Sequence, residues 1–402
     1  MSEFTRLSYN PLLQVHRSAL RCGKCGLCRY IDNLDIREIE YSAICPSGER
    51  FKFEEYYGSG KSELVRGLLT QLGATTNELE INDRLLHALY TCTLCGGCEK
   101  MCEALHKYPL KSIMALREYC VREEKAPLPP HRRMADSIAE RDNPLGNPPE
   151  ARAAWAKGLR LKNFTKDKAE VLFFTGCMAA RPGQRRVMQA AAKLLKAAGV
   201  DFGILGEAEP CCKLPLVRIG LRKSFEEGAK MVIAMIAELG VSKVVTTCAG
   251  CFQTLDREYD DLGERPFETV HISELLLELL DDGALKLKKK VKGKVAYHDP
   301  CTLGRYTENY QNPREVLAQI PGLQTVEFLR AKGNAWCCGA GCSGEVAALY
   351  PDYARETAAI RLKEAAHVGA KQIATACPFC EEHLRAAGGN VKDLVELVAE
   401  AL

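Results

Sequence analysis

Two stretches of the chain repeat one succession of apolar and polar positions. In the first, VLFFTGC at 171–177 leads into helical periodicity, a second short apolar run, a longer amphipathic segment, and KVVTTCAGC at 243–251. It closes on ISELLLELL after His271. The second stretch has VAYHDPC at 295–301, KQIATACPFC at 371–380 and VKDLVELVAEAL at 391–402 in the same places. Short apolar runs alternating with helical periodicity predict parallel strands joined by helices. Repetition at this length predicts two homologous α/β units. Open sheets of that kind place ligands at the carboxyl ends of their strands.

The pattern breaks between 124 and 170, where APLPPHRR and DNPLGNPPE hold six of the eighteen prolines. Such a stretch reads as a stiff, extended connection. The expected architecture is α+β and multidomain. A mostly helical unit spans 1–124, a Pro-rich linker 125–168, and the two α/β units with parallel sheets 169–285 and 292–402. The run KLKKKVKGK at 286–294 reads as a solvated turn between the copies.

Composition narrows the function classes. Among 402 residues, 47% are hydrophobic and 27% charged, which excludes a mainly disordered chain. Lys+Arg 55 against Asp+Glu 52 leaves a net charge of +3, too balanced for a nucleic-acid binder. No apolar run nears the ~18 residues of a membrane span. The opening MSEFTRLSYNPLL has neither an apolar signal core nor twin arginines, so a cytoplasmic location is expected. In that setting the 20 cysteines are expected to be reduced, and to serve metal or redox chemistry.

Their spacing is ordered. Cys22, Cys25 and Cys28 form C-x2-C-x2-C, followed by Cys45-Pro46; Cys92, Cys95, Cys98 and Cys102 form C-x2-C-x2-C-x3-C. In two-cluster ferredoxins, three thiolates of one loop wrap a cluster and the fourth ligand comes from the other motif. On that logic Cys22, Cys25, Cys28 and Cys102 hold one cubane [4Fe-4S] cluster, and Cys45, Cys92, Cys95 and Cys98 the other. Two departures stand out: Asp32 occupies the position of the x3 cysteine, delaying it to Cys45, and Glu103 instead of proline follows Cys102. Structural zinc is the alternative, but it has no use for the odd cysteine of each triplet.

Each repeat carries five cysteines: Cys177, Cys211-Cys212 and Cys248-x2-Cys251, then Cys301, Cys337-Cys338 and Cys377-x2-Cys380. Five is one too many for a tetrathiolate ion. A thioredoxin-like dithiol at Cys377 and Cys380 would leave Cys301, Cys337 and Cys338 unexplained.

This twin pattern, with Cys337-Cys338-Gly339 and YHDPC at 297–301, resembles the CCG cysteine-rich domains of the heterodisulfide reductase family. With the N-terminal cysteine module, nearly the whole chain resembles the fused catalytic subunit. It is also similar to iron–sulfur subunits of glycerol-3-phosphate, glycolate and lactate dehydrogenases, and to subunits linked to electron-transferring flavoproteins. The resemblance implies a noncubane [4Fe-4S] cluster on each quintet. It further implies an oxidoreductase that passes electrons between the cubanes and the quintets to reduce a disulfide, or else a relay. The implied partners are a flavoprotein and a membrane subunit binding quinone or haem, the latter able to hold the chain at the inner face of a membrane. The first copy departs from the family by reading Cys211-Cys212-Lys213, without the glycine.

Other motifs carry less. Gly58-Ser59-Gly60-Lys61-Ser62 reads as a turn before a helix, because a phosphate loop would need glycine at Glu55. Gly339-Ala340-Gly341-Cys342-Ser343-Gly344 satisfies GxGxxG but follows cysteines, not a strand, so tight packing at a cluster is expected. His298 and Asp299, beside Cys301, are candidates to move protons or to tune a cluster through hydrogen bonds. Cys342 is a candidate thiol near the second cluster or a small buried residue. Cys120 and His271 read as structural.

Overall fold

The computed structural model describes residues 9–32, 34–70, 80–102 and 109–402. The first eight residues of the opening segment and Glu103 lie outside the described residues. The N-terminal unit is helical. Its longest helices, Gly58–Thr70 and Pro109–Arg122, face each other through Val65 and Leu68 on one and Ile113, Leu116 and Cys120 on the other. These residues recur every three to four positions, as an apolar helix face requires. Cys120 is thus core, as expected.

The Gly-Ser-Gly-Lys-Ser segment is the first turn of helix Gly58–Thr70 itself. Gly60 is needed for close approach, since a Cβ there would lie 2.0 Å from the Glu54 carbonyl oxygen. Lys61 is buried and its Nζ donates to the Tyr56 carbonyl, leaving no free cation for a phosphate.

The Pro-rich stretch is not extended. It folds into helices Pro129–Arg141 and Pro149–Ala153, each with proline in its first turn. There proline's missing N–H costs nothing and its fixed φ suits the helix. The stretch ends in β1 (Lys162–Asn163), which joins the first sheet.

That sheet has the order β1-β3-β2-β4-β5, with β2 Val171–Phe173, β3 Phe202–Ile204, β4 Lys243–Thr246 and β5 Glu268–His271. The second runs β7-β6-β8-β9, with β6 Gly293–His298, β7 Leu323–Val326, β8 Gln372–Thr375 and β9 Val391–Asp393. Every pairing is parallel. Apart from β1 the two orders coincide, so the sequence repeat is a repeat of topology. Both copies also close with a capping box, His271 with Glu274 and Asp393 with Glu396. His271 is therefore structural, as read.

The copies pack reciprocally. Helix Arg185–Ala197 of the first lies on the closing helix Leu394–Ala401 of the second, while the first copy's closing helix Ile272–Asp281 lies on Asn312–Ala318. One hydrophobic core runs through both. Arg186 binds Glu381 and Glu396 across the seam, and Arg181 meets Glu382 at 2.7 Å. This pseudo-two-fold arrangement turns the carboxyl ends of both sheets toward each other.

Candidate iron–sulfur centres

Cys22, Cys25, Cys28 and Cys102 line one cavity, together with Ser59, Ser62 and Pro109. Cys45, Cys92, Cys95 and Cys98 line a second, beside Gly58 and Lys61. The fourth cysteine of each set thus comes from the other motif. The chain between Cys28 and Cys45 doubles back through an antiparallel bridge of Tyr30 with Ala43, which brings the delayed Cys45 into place despite Asp32. Cys45 caps helix Pro46–Phe51, its Sγ accepting from the Gly48 N–H at 3.4 Å.

The two triplets share a backbone. Lys24 and Gly26 have left-handed φ values of 53° and 83°, matched by Leu94 at 50° and Gly96 at 74°. Alternating left-handed residues turn successive N–H groups inward, toward an anionic centre. Arg66 holds the first loop by donating to the carbonyls of Ala19 (2.9 Å) and Cys22 (2.8 Å).

The quintets sit where the strands end. Cys177, Cys211, Cys212, Cys248 and Cys251 line one cavity, with Cys212 and Cys251 Sγ 3.6 Å apart. In the second copy, Cys337 contacts Cys301 and Cys338, and Cys380 contacts Cys338 and Cys377. The CC turns are alike, the N–H of Lys213 or Gly339 reaching the Sγ of Cys211 or Cys337 at 3.3 Å. None of the twenty cysteines is joined to another by a disulfide.

Lys213 does not distort its loop. It takes a left-handed φ of 64°, and its side chain crosses Gly228, where a Cβ would lie 3.0 Å from Lys213 Cγ. In the second copy Gly339 has a φ of 98° and the helix position matching Gly228 is Thr357, which a Cβ on Gly339 would crowd at 2.8 Å. Bulk and its absence have been exchanged between loop and helix.

Burial pushes the thiols of Cys45 and Cys177 up to about 12, and that of Cys98 well up. Neighbouring cysteines add to each shift. Hydrogen bonds from neighbouring thiols act the other way on Cys95, held down to about 5 by Cys337, and on Cys212, Cys338 and Cys377. Each of these sets thus pairs thiols that ionise easily with thiols that need a bound cation to do so. Iron clusters suit soft, all-thiolate donor sets of this kind.

The four sets form a line. Within the first turn of helix Gly58–Thr70, Ser59 and Ser62 face the first cavity while Gly58 and Lys61 face the second. Cys95 of the second set touches Cys337 of the second quintet. Arg305 reinforces this seam by donating to the Cys95 carbonyl at 3.1 Å. Cys377 in turn touches Cys248 of the first quintet.

The remaining candidates separate. His298 lies with Cys338 and Cys380, their nitrogen and sulfur atoms within 4.8 Å of one another. Asp299 is turned away from the thiols: Arg314 clamps it at 2.7 and 2.9 Å, and it accepts from the Lys332 N–H at 2.9 Å. Cys342 lines the cavity of the first quintet, although it belongs to the second copy. Glycines Gly341 and Gly344, at φ 79° and 81°, bend its loop across the seam, and the Glu345 carboxylate holds the N–H groups of Cys342 and Ser343. Nothing in the linear order signals that crossing, because it depends on how the copies dock.

The cross-paired N-terminal sets and the twin strand-end quintets define a class: an iron–sulfur oxidoreductase component. Family models agree, a 4Fe-4S dicluster domain matching 18–105 and a cysteine-rich CCG domain matching 171–256 and 295–385. The chain is 35% identical over 398 residues to one subunit of the dihydromethanophenazine:CoB–CoM heterodisulfide reductase of Methanosarcina acetivorans, covering 95% of this chain and 93% of that one. The Methanosarcina mazei protein of the same name is 35% identical over 78% of each chain. This chain belongs to the heterodisulfide reductase family. It is also 31% identical to the EtfAB:quinone oxidoreductase of Syntrophomonas wolfei, over 78% of this chain and 46% of that one. A crystal structure of a hypothetical protein from Helicobacter pylori shares the fold, at 11% identity and a TM-score of 0.54 over 87% of this chain and 68% of that one.

Proposed function

We propose that the chain reduces a disulfide at its paired quintets with electrons received through its N-terminal module. Cys22, Cys25, Cys28 and Cys102 would hold one cubane [4Fe-4S] cluster, and Cys45, Cys92, Cys95 and Cys98 the other. Each quintet would hold a noncubane [4Fe-4S] cluster. Bound there, the clusters would supply one-electron storage and iron sites with affinity for sulfur. The chain's own part is positional. The seam between the copies keeps two one-electron sites side by side for a two-electron reduction, and burial keeps water from them.

The observation that carries this reading is the contact of Cys377 with Cys248, which makes the two quintets neighbours. The test is low-temperature EPR with iron quantitation on anaerobic protein, followed by addition of coenzyme M–coenzyme B disulfide and of small disulfides. Cleavage by the reduced protein is expected, and failure to cleave any of them rules the reading out.

The similarity to an EtfAB:quinone oxidoreductase supports a second reading, a relay between an electron-transferring flavoprotein and a quinone-linked membrane partner. No helix among the described residues is long and apolar enough to cross a membrane, so such a partner would supply the anchorage. Isolation with a flavoprotein partner and without disulfide activity would favour the relay.

A further inference from the structure

We propose that His298 donates a hydrogen bond to the sulfurs of the second quintet, and that its absence from the first sets the two quintet centres at different reduction potentials. This rests on the reading that each quintet holds a cluster.

His298 ends β6 and is only 1% exposed. Arg361 Nε donates to its Nδ1 at 3.1 Å. A guanidinium can only donate, so Nδ1 carries the lone pair and the neutral ring keeps its proton on Nε2. That nitrogen has no hydrogen-bond partner among the described residues, a buried donor left to be satisfied by what the neighbouring sulfurs hold. The sulfurs of Cys338 and Cys380 are the polar atoms clustered with the ring. A nitrogen that carries a proton has no lone pair for iron, so the ring is a donor to sulfur and not a further ligand.

The tautomer is imposed from outside the site. Arg361 is itself fully buried, donating to the Arg330 carbonyl at 2.9 Å and to Glu364 at 3.0 Å, with its guanidinium 3.4 Å from the Phe328 ring centroid. The first copy lacks the whole device. Aligning 171–177 with 295–301 puts buried Phe174 where His298 stands, and aligning helix Arg222–Glu238 with Pro351–His367 puts Val232 where Arg361 stands.

A hydrogen bond to a cluster sulfur stabilises the more negative, reduced state and raises the potential. The second centre, which abuts Cys95 of the N-terminal module, would therefore accept an electron more readily than the first. On this ground the two sites become an ordered pair.

The test is an EPR-monitored redox titration with iron quantitation on the full chain, comparing wild type with His298→Phe, the residue of the other copy, and with His298→Gln. The expected result is that His298→Phe moves one quintet centre to lower potential. The shift should correspond to a tenfold change or more in its one-electron equilibrium, about 59 mV, with iron content unchanged. Gln, which restores an N–H donor, should recover part of it. Should the Phe variant fail to fold, His298→Met gives the same comparison. Unmoved potentials, equal shifts of both centres, or loss of iron from one of them would overturn the proposal. A wild-type chain holding only the two N-terminal clusters would instead overturn the underlying reading, and the proposal with it.

Discussion

The exchange between Lys213 with Gly228 and Gly339 with Thr357 shows how a departure from a family motif is absorbed. A Cβ on Gly339 would also lie 2.5 Å from the Ala354 carbonyl oxygen, against backbone that cannot swing aside. Gly339→Ala is therefore expected to cost about 1–3 kcal/mol in strain, read as a lower urea midpoint. Lys213→Gly, where a side chain is removed from over a glycine, should fold with its iron content intact. The departure at Lys213 was legible in the sequence, but its remedy was not. It depends on which helix position faces the loop, and only packing determines that.

Among the elements, strand ends and cysteine groups were readable because both follow local rules of periodicity and spacing. The connection at 125–168 was misread because proline marks helix starts as well as breaks. Composition alone does not distinguish the two. Helix Pro351–His367 shows a further tie that periodicity cannot announce: Glu364, fully buried, accepts from the backbone N–H of Arg330 at 2.7 Å and binds the guanidiniums of Arg330 and Arg361. Glu364→Gln leaves two buried cations without their counter-ion and should cost about 3–5 kcal/mol. Burial raises the Glu364 carboxyl, but Arg361 and Arg330 outweigh it and hold the group below its ordinary range. Its stabilisation is thus complete above the unfolded carboxylate range, about 4.3, and lost as pH falls through the lower folded value. The stability gap between wild type and the Gln variant should accordingly narrow on acidification below that range, as denaturant titrations at successive pH values would record.

For the whole molecule, the two hydrogen-bonded seams matter more than any single set of thiols. Cys95 belongs to the second N-terminal set and touches Cys337. On the proposed assignment, Cys95→Ser should remove about four irons per chain while the first N-terminal centre keeps its EPR signal. The quintets should then no longer be reduced by an outside protein donor, although a small chemical reductant still reaches them. That the quintets meet was not legible in the spacing. Contact between distant parts of a chain comes from docking, which in this protein rests on the reciprocal packing of opening and closing helices.

The short strand β1 draws the connector into the edge of the first sheet. Arg117 of the N-terminal unit donates to the Arg218 carbonyl at 2.7 Å, and Gly220 keeps clear of the Arg117 carbonyl, from which a Cβ would lie only 2.6 Å away. Among the described residues the connector is consequently fixed and forms no swinging arm. A carrier that shuttles by diffusion slows in thickened solvent, whereas a fixed wire does not. Internal electron passage is expected to keep its rate in glycerol or sucrose, with viscosity slowing only the encounter with outside donors and acceptors.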